Sequence, residues 1–440
     1  MYLDNDKNKR HALALWALSV AAMICLAGCS SVKEKPVVIA GKEYPADTRQ
    51  LTIEEYDADD IAALSGFKQL KKIDVTAPEL TAEDYDKLRE QLGDKVIIDW
   101  TVPVGGRRVK NTAAELTFSG EISAEDADAV KYFSQLQQLT VTDSKVTSHL
   151  AKLVATAREN NPALSVSCSA TAFGMQLKDS VKSLKLNNKK IKNPDDVRSV
   201  VTVFPNIRKV EMCGCGVSDE NMQALREEFP DVTFIWTIHF LHYTLRTDIQ
   251  VFSMLAADPS RPGNSETFAP LFRYCTELRA LDLGHMRITD ISEIRHLKKL
   301  HTLILADNSI SDISPLAELK ELEFVELFCN RIKDVSPLTE LPKLEDVNLC
   351  YNSAMKNPAA ITGCSSLKRL YISNCSLDAE EIAALKKGVP KDCELNYTAP
   401  NAVHSGWRTN KNARSVKIRE AFANWRKVKA YPAWNKIIYK

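Results

Sequence analysis

Glycine is scarce in this chain, 15 among 440 residues, and no low-complexity stretch interrupts residues 50–400. That excludes a string of small modules on flexible Gly/Ser linkers and leaves a continuous packed array. No apolar run is long enough to serve comfortably as a membrane span. Catalytic signatures are missing too: there is no G-x-S-x-G, no H-E-x-x-H and no Gly-rich phosphate loop. Histidine numbers eight. His239 and His242 lie in the aromatic segment "HFLHY" and read as packing residues, while His296 and His301 flank "LKKL" and read as surface residues of a repeat. Cys213 and Cys215 are separated by one residue with no matching second pair, which argues against zinc. No catalytic residue, metal ligand or cofactor is therefore assigned.

What the chain has instead is leucine at a fixed period. Leu278, Leu300, Leu322 and Leu344 follow one another at 22 residues, and Leu367 comes one residue later than that rhythm. Three positions on stand Leu281, Leu303, Val325, Val347 and Leu370; five on stand Leu283, Leu305, Leu327, Leu349 and Ile372. This alternation predicts a short strand with one face buried. The eighth position reads Met286, Asn308, Asn330, Asn352 and Cys375, where a buried side chain can satisfy the backbone groups of a turn. Pro315 and Pro337 forbid a long helix on the return path. Asp290, Asp312 and Asp334 recur at one offset, which marks them as caps of that return turn rather than as acid/base groups. A single unit buries too little to order itself, so the units must stack.

A looser repeat precedes this one. Trp100, Cys168 and Trp236 recur at intervals of 68, followed in register by Val109, Leu177 and Leu245 and by Leu116, Leu184 and Phe252. Leu136, Ile207 and Leu278, at intervals of 71, open further strands. "LTAEDYDKLREQLGDKVIIDWTVP" matches "LDAEEIAALKKGVPKDCELNYTAP", which places Tyr397 where Trp100 stands and predicts a helix over 82–91 on the outer side.

Residues 278–377 resemble the leucine-rich repeat family, and the tight form is similar to the repeats of bacterial internalins. The resemblance implies an α/β leucine-rich repeat solenoid. A curved parallel sheet would line the concave side, with short helices and 3-10 turns on the convex side. The expected organisation is degenerate long-period repeats over 50–270 and regular 22-residue repeats over 271–400. In such a solenoid the side chains between the buried leucines point outward from the concave sheet. The candidate ligand-binding face is therefore Ile304, Phe324, Glu326, Phe328, Asp346, Tyr351, Arg369 and Tyr371. Exposed aromatics ringed by charge form a protein-binding patch. On this expectation, truncating Phe324, Glu326 or Phe328 weakens binding and leaves the melting temperature unchanged.

The two ends carry other information. Lys7, Lys9 and Arg10 precede the apolar run Ala12–Cys25 and then "LAGC", Leu26 to Cys29. That reads as a signal peptide over 1–28. It looks like the lipobox of bacterial lipoproteins, which makes Cys29 the lipid-attachment residue and 29–49 a tether. Residues 401–440 hold ten Lys or Arg and one acid, Glu420, so the first 400 residues carry the opposite sign. Ile418, Phe422, Trp425 and Val428 form one helical stripe, read as a basic helical cap sealing the last coil. Its basic side can also meet anionic lipid or wall polymer. Nine cysteines remain after Cys25 and Cys29; Cys215 and Cys375 read as buried thiols, and Cys329 with Cys350 are placed for a disulfide. The expectation is a non-catalytic, lipid-anchored binding protein of the bacterial cell envelope. It takes a protein ligand on the concave face, touches the membrane through Cys29 and binds no nucleic acid. The alternatives are an envelope enzyme on a repeat scaffold and a purely structural envelope protein.

Overall fold

The computed structural model describes residues 35–57, 59–241, 243–254 and 264–398, together with Trp407, Ile418 and Phe422. Cys29 and the lipobox lie outside the described residues, as do His242, Trp425 and Val428. The chain divides into two compact units between Thr171 and Ala172. Among the described residues no helix is long and apolar enough to cross a membrane.

In the first unit, strands Gln50–Ile53, Lys72–Val75 and Ile97–Val104 pair in parallel, with Leu51, Ile73 and Ile98 in register. A second parallel set is formed by Glu115–Ser119, Gln138–Lys145 and Ser165–Ala172. The outer helix expected over 82–91 is present as Ala82–Leu92. Thr81 and Asp84 close its first turn as a capping box, so its start is fixed by side chains that satisfy otherwise orphaned N–H groups. Tyr85 from this helix stacks on the buried Trp100 at 4.7 Å, and Tyr132 meets Trp100 edge-on at 5.2 Å.

The long repeat holds an element that the sequence reading did not foresee. Ile97–Val104 turns back on Arg107–Lys110 as an antiparallel hairpin. Gly105 and Gly106 stand at φ 57° and 69°, the left-handed pair that a two-residue hairpin turn of this kind requires. The corresponding Thr237–Phe240 and Tyr243–Arg246 form the same hairpin in the second unit. In both, the residue eleven after the tryptophan closes the unit: Trp100 N donates to Asn111 Oδ1 and Trp236 N to Thr247 Oγ1. The anchors Trp100, Cys168 and Trp236 are all buried.

The second unit contains the parallel strands Ser183–Lys185, Lys209–Glu211 and Thr233–Ile235. It also holds one seven-stranded parallel sheet: β1 Val251–Ser253, β2 Ala280–Asp282, β3 Thr302–Ile304, β4 Phe324–Glu326, β5 Asp346–Asn348, β6 Arg369–Tyr371 and β7 Glu394–Asn396. The register is the one that the 22-residue period sets, with Leu281, Leu303, Val325, Val347 and Leu370 side by side. Short 3-10 turns return the chain on the other side: Ser292–His296, Ser314–Glu318, Ser336–Glu340 and Pro358–Gly363. Pro315 and Pro337 occupy the first turn of theirs, where a missing N–H costs nothing. The repeated aspartates do cap these turns. Ser292 N donates to Asp290 Oδ1, Ser314 N to Asp312 Oδ1 and Ser336 N to Asp334 Oδ1, at 2.7–2.9 Å.

An asparagine ladder joins the coils. Asn330 Nδ2 donates to Leu305 O and Leu327 O, and its Oδ1 accepts from Ile310 N in the preceding coil. Asn308 and Asn352 repeat the arrangement. Cys375 takes the same place as a buried thiol, Sγ to Leu349 O at 3.1 Å, and Cys215 as Sγ to Leu186 O at 3.0 Å. Burial pushes the Cys375 thiol up to about 12, so it stays protonated and donates. All nine described cysteines are free thiols, Cys329 and Cys350 among them. Asn330→Leu strands several of these backbone groups and should cost about 1–3 kcal/mol in urea denaturation. The same change at Ser309, half-exposed beside Asn308, should leave the midpoint nearly unchanged.

Candidate binding face

The strands of the sheet are three residues long, so each sends its middle side chain into the core and its outer two to the opposite face. This opposite face, away from the 3-10 turns, is the one that the repeat pattern expects to be concave. Reading across β2 to β6, it presents Ala280, Thr302, Phe324, Asp346 and Arg369 in one row. The next row is Asp282, Ile304, Glu326, Asn348 and Tyr371. The registers thus bring together the residues that the sequence grouped.

Their exposure differs from expectation. Phe324 is fully buried and Glu326 is 1% exposed. Ile304, Asp346, Arg369 and Tyr371 are buried as well. All three residues are buried in each of β1 to β6, on both faces of the sheet. Three described residues from the last part of the chain lie against this face. Trp407, Ile418 and Phe422, each fully buried, share one cluster with Val251, Ala280, Ile304, Ala306, Phe324, Cys350 and Tyr371. The expectation of an open aromatic patch is therefore corrected at these six positions. The apolar stripe is corrected too: its described members Ile418 and Phe422 join the concave cluster instead of closing the end of the last coil. Phe328 is half-buried at the edge of the cluster. Tyr351 is exposed at 36%, its ring meeting Phe328 edge-on at 6.1 Å. Tyr351 stands three residues past the end of β5, at a left-handed φ of 61°.

Trp407 sits at the centre. Its ring lies 5.3 Å from Phe324 and 5.1 Å from Tyr371, centroid to centroid. The Arg369 guanidinium carbon stands 4.0 Å from the indole centre, a cation–π contact strengthened by desolvation. The indole Nε1 donates to Glu326 Oε2 at 3.1 Å. The electrostatics around the ring are ordered. Arg369 Nε donates to Asp346 Oδ1 at 3.0 Å, and both side chains are about nine-tenths buried. Tyr371 OH donates to Glu394 Oε1 at 2.7 Å, and burial together with that carboxylate raises its pKa to about 12. Asn348 Oδ1 accepts from Cys350 N. Among the described residues, the buried Arg369 Nη2 and Asn348 Nδ2 have no acceptor.

The arrangement holds the Trp407 side chain with flat aromatic walls, a cation over the ring face and a carboxylate for the ring N–H. Trp407 and Asn348 were not among the candidate residues read from the sequence. Trp407 could have been, as the first of several large aromatics in the basic stretch that follows the array. Among the described residues no group of His, Cys, Asp and Glu is placed to hold a metal ion.

Comparison with known proteins gives a family match to part of the second unit. Residues 276–318 match the family model of leucine-rich repeats in two copies. An internalin from Listeria monocytogenes aligns at 17% identity over 67% of this chain and 84% of that one, with a TM-score of 0.29. A second internalin of that organism, internalin C2, aligns at 16% over 57% and 92%, with a TM-score of 0.24. A leucine-rich repeat protein of Leptospira interrogans aligns at 14% over 80% and 90%, with a TM-score of 0.25. Among curated proteins the chain finds no match. The family match over 276–318 and the 22-residue register of β2–β5 fit leucine-rich repeats in this part of the chain, and proteins built of such repeats typically mediate protein–protein interaction.

Proposed function

We propose that this is a non-catalytic binding protein of the bacterial cell envelope, anchored by lipid on Cys29, that engages a protein partner through the concave face of β2–β6. One observation carries the binding reading. The face already holds a tryptophan through two aromatic walls, a guanidinium and a carboxylate, the side-chain chemistry of protein interface hot spots. The anchor rests on "LAGC" at 26–29 behind a charged and apolar leader.

Each half has its own test. A photo-crosslinking residue at Tyr351, on the open rim, should form a specific protein adduct on intact cells; one at Lys298, on a convex turn, should not. Adducts from Lys298 alone would move the partner to the convex side. For the anchor, Cys29→Ala should abolish incorporation of labelled fatty acid. A variant that still takes up label would show that the lipid, if any, is elsewhere.

A further inference from the structure

The second unit has a break between its two parallel sheets. Thr233–Ile235 is the last strand of one, and β1 is the first of the other. Beside Thr233–Ile235 and the residues that lead into β1 lies a cavity of about 160 Å³. One water needs roughly 10–15 Å³ of such space, so a small organic molecule fits. Val232, Phe234 and Ile235, all buried, give the cavity apolar walls. Its remaining walls come from a helix, Asp219–Glu228, and from two connections, at Thr247–Asp248 and Thr276–Glu277.

Three charged residues line this cavity, and two of them are already neutralised. Both Glu277 oxygens accept from Lys299 Nζ, at 2.6 and 2.8 Å. Asp248 accepts from Arg246 Nε and Nη2, each at 2.8 Å. Arg226 is different. Among the described residues no carboxylate lies within ion-pair distance of it. Its guanidinium carbon stands 4.3 Å from the centre of the Trp236 ring, and Nη1 donates to Tyr274 O at 3.1 Å and to Gln223 Oε1 at 3.4 Å. Those contacts fix the plane and leave Nε and Nη2 with no acceptor among the described residues. That edge of the fork is the one that grips a carboxylate with two parallel bonds. Burial holds the Arg226 pKa below its ordinary value, as expected of a cation without a counter-ion. Hydroxyl donors are also free. Thr247 is buried, and its Oγ1 accepts from Trp236 N at 3.2 Å while its own proton has no acceptor among the described residues. The Thr276 hydroxyl has no partner among them either. The acceptors of the cavity are therefore in use and its donors are not. The first copy of the long repeat lacks this feature: Trp100 is faced by the Tyr85 ring where Trp236 is faced by a cation.

We propose that this cavity is a binding site for a small monocarboxylate with a short aliphatic chain. The carboxylate pairs with the Nε–Nη2 edge of Arg226 and takes the Thr247 and Thr276 hydroxyls, and the chain lies against Val232, Phe234 and Ile235. One negative charge balances the one unpaired cation. A dianion such as phosphate carries a second charge towards Asp248 and Glu277 and finds no apolar partner for the walls, so it is disfavoured. A free acid and the C-terminal carboxylate of a polypeptide ending in an aliphatic residue share this chemistry. The site lies apart from β2–β6, so it stands or falls independently of the function assigned to that face.

The experiment titrates the full-length chain by calorimetry with 4-methylpentanoate, its amide 4-methylpentanamide, acetyl-glycyl-leucine and inorganic phosphate. The acid should bind saturably at one site per chain. The amide should bind at least about tenfold more weakly, because the charge-assisted pair with Arg226 is lost. Arg226→Lys keeps the positive charge and removes the fork, and should weaken the acid at least about tenfold. Thr276→Val removes a hydroxyl that holds nothing within the chain; it should leave the melting temperature unchanged and weaken the acid by about fivefold. Should Arg226→Lys not fold, the contrast of acid with amide on the natural chain and the Thr276→Val result carry the test. Tighter binding of acetyl-glycyl-leucine than of the free acid, with the same loss in Arg226→Lys, supports the site and makes its ligand a chain terminus. Binding of neither carboxylate overturns the proposal. So do equal affinities for acid and amide, an affinity unchanged in a folded Arg226→Lys chain, and tighter binding of phosphate than of either carboxylate.

Discussion

Leu327→Ala is expected to lower global stability by about 2–5 kcal/mol, because the side chain is fully buried on the core side of its strand and its loss leaves a cavity in a stacked array. Phe324→Ala, three residues earlier and equally buried, should behave differently. Truncating a buried Phe costs about 3–5 kcal/mol when the whole fold depends on it. Here, however, the ring faces Trp407 on the side away from the core, so the loss is limited by how strongly Trp407 is held. Leu327→Ala should shift the midpoint of the far-UV transition. Phe324→Ala should instead release Trp407, seen as a red-shifted tryptophan emission before the main transition. Coincident emission and far-UV transitions in Phe324→Ala, both shifted as far as in Leu327→Ala, would mean that Trp407 is an integral part of the core.

Arg369→Met should be the most damaging change on the concave face. It leaves Asp346 buried without its guanidinium, a defect of about 3–5 kcal/mol in buried ion pairs. It also removes the cation from the indole. Adding Asp346→Asn removes the stranded charge, so the double variant should recover most of the loss. A double-mutant cycle in urea checks this. Strictly additive losses would show that the two side chains act independently despite their 3.0 Å contact.

The part of this architecture that depends on period was legible in the sequence. The spacing of Leu278, Leu300, Leu322 and Leu344 set the register of β2–β5, because a coil that buries one strand and one turn admits few lengths. The asparagine and aspartate offsets likewise read out a turn whose backbone groups must be satisfied the same way in every coil. The hairpins of the long repeats were less visible. Only one of the two carries a Gly-Gly pair; Thr237–Phe240 turns at Leu241 with φ 50°, a residue that gives no turn signal. The occupancy of the concave face was not legible. Which residues face that side follows from alternation within a strand. Whether that side meets water depends on contacts across long separations, such as Glu326 with Trp407 81 residues away. Helical spacing of Ile418 and Phe422 announced an apolar stripe without saying what it covers, and the end of the array and the inner face of the sheet both offer apolar surface. The alternation of buried and exposed side chains along 324–328 held for the direction of each side chain and failed for its exposure, because Trp407, Ile418 and Phe422 share the cluster on that side.

The most direct test of the account is hydrogen exchange at the Trp407 indole N–H, followed by 15N NMR of the full chain and assigned with Trp407→Phe. The account predicts a protected proton that exchanges far more slowly than a free indole, and a marked loss of protection in Glu326→Ala. Exchange at the rate of a free indole in the natural chain would contradict it, since the concave face would then be open and Trp407 would not be its occupant.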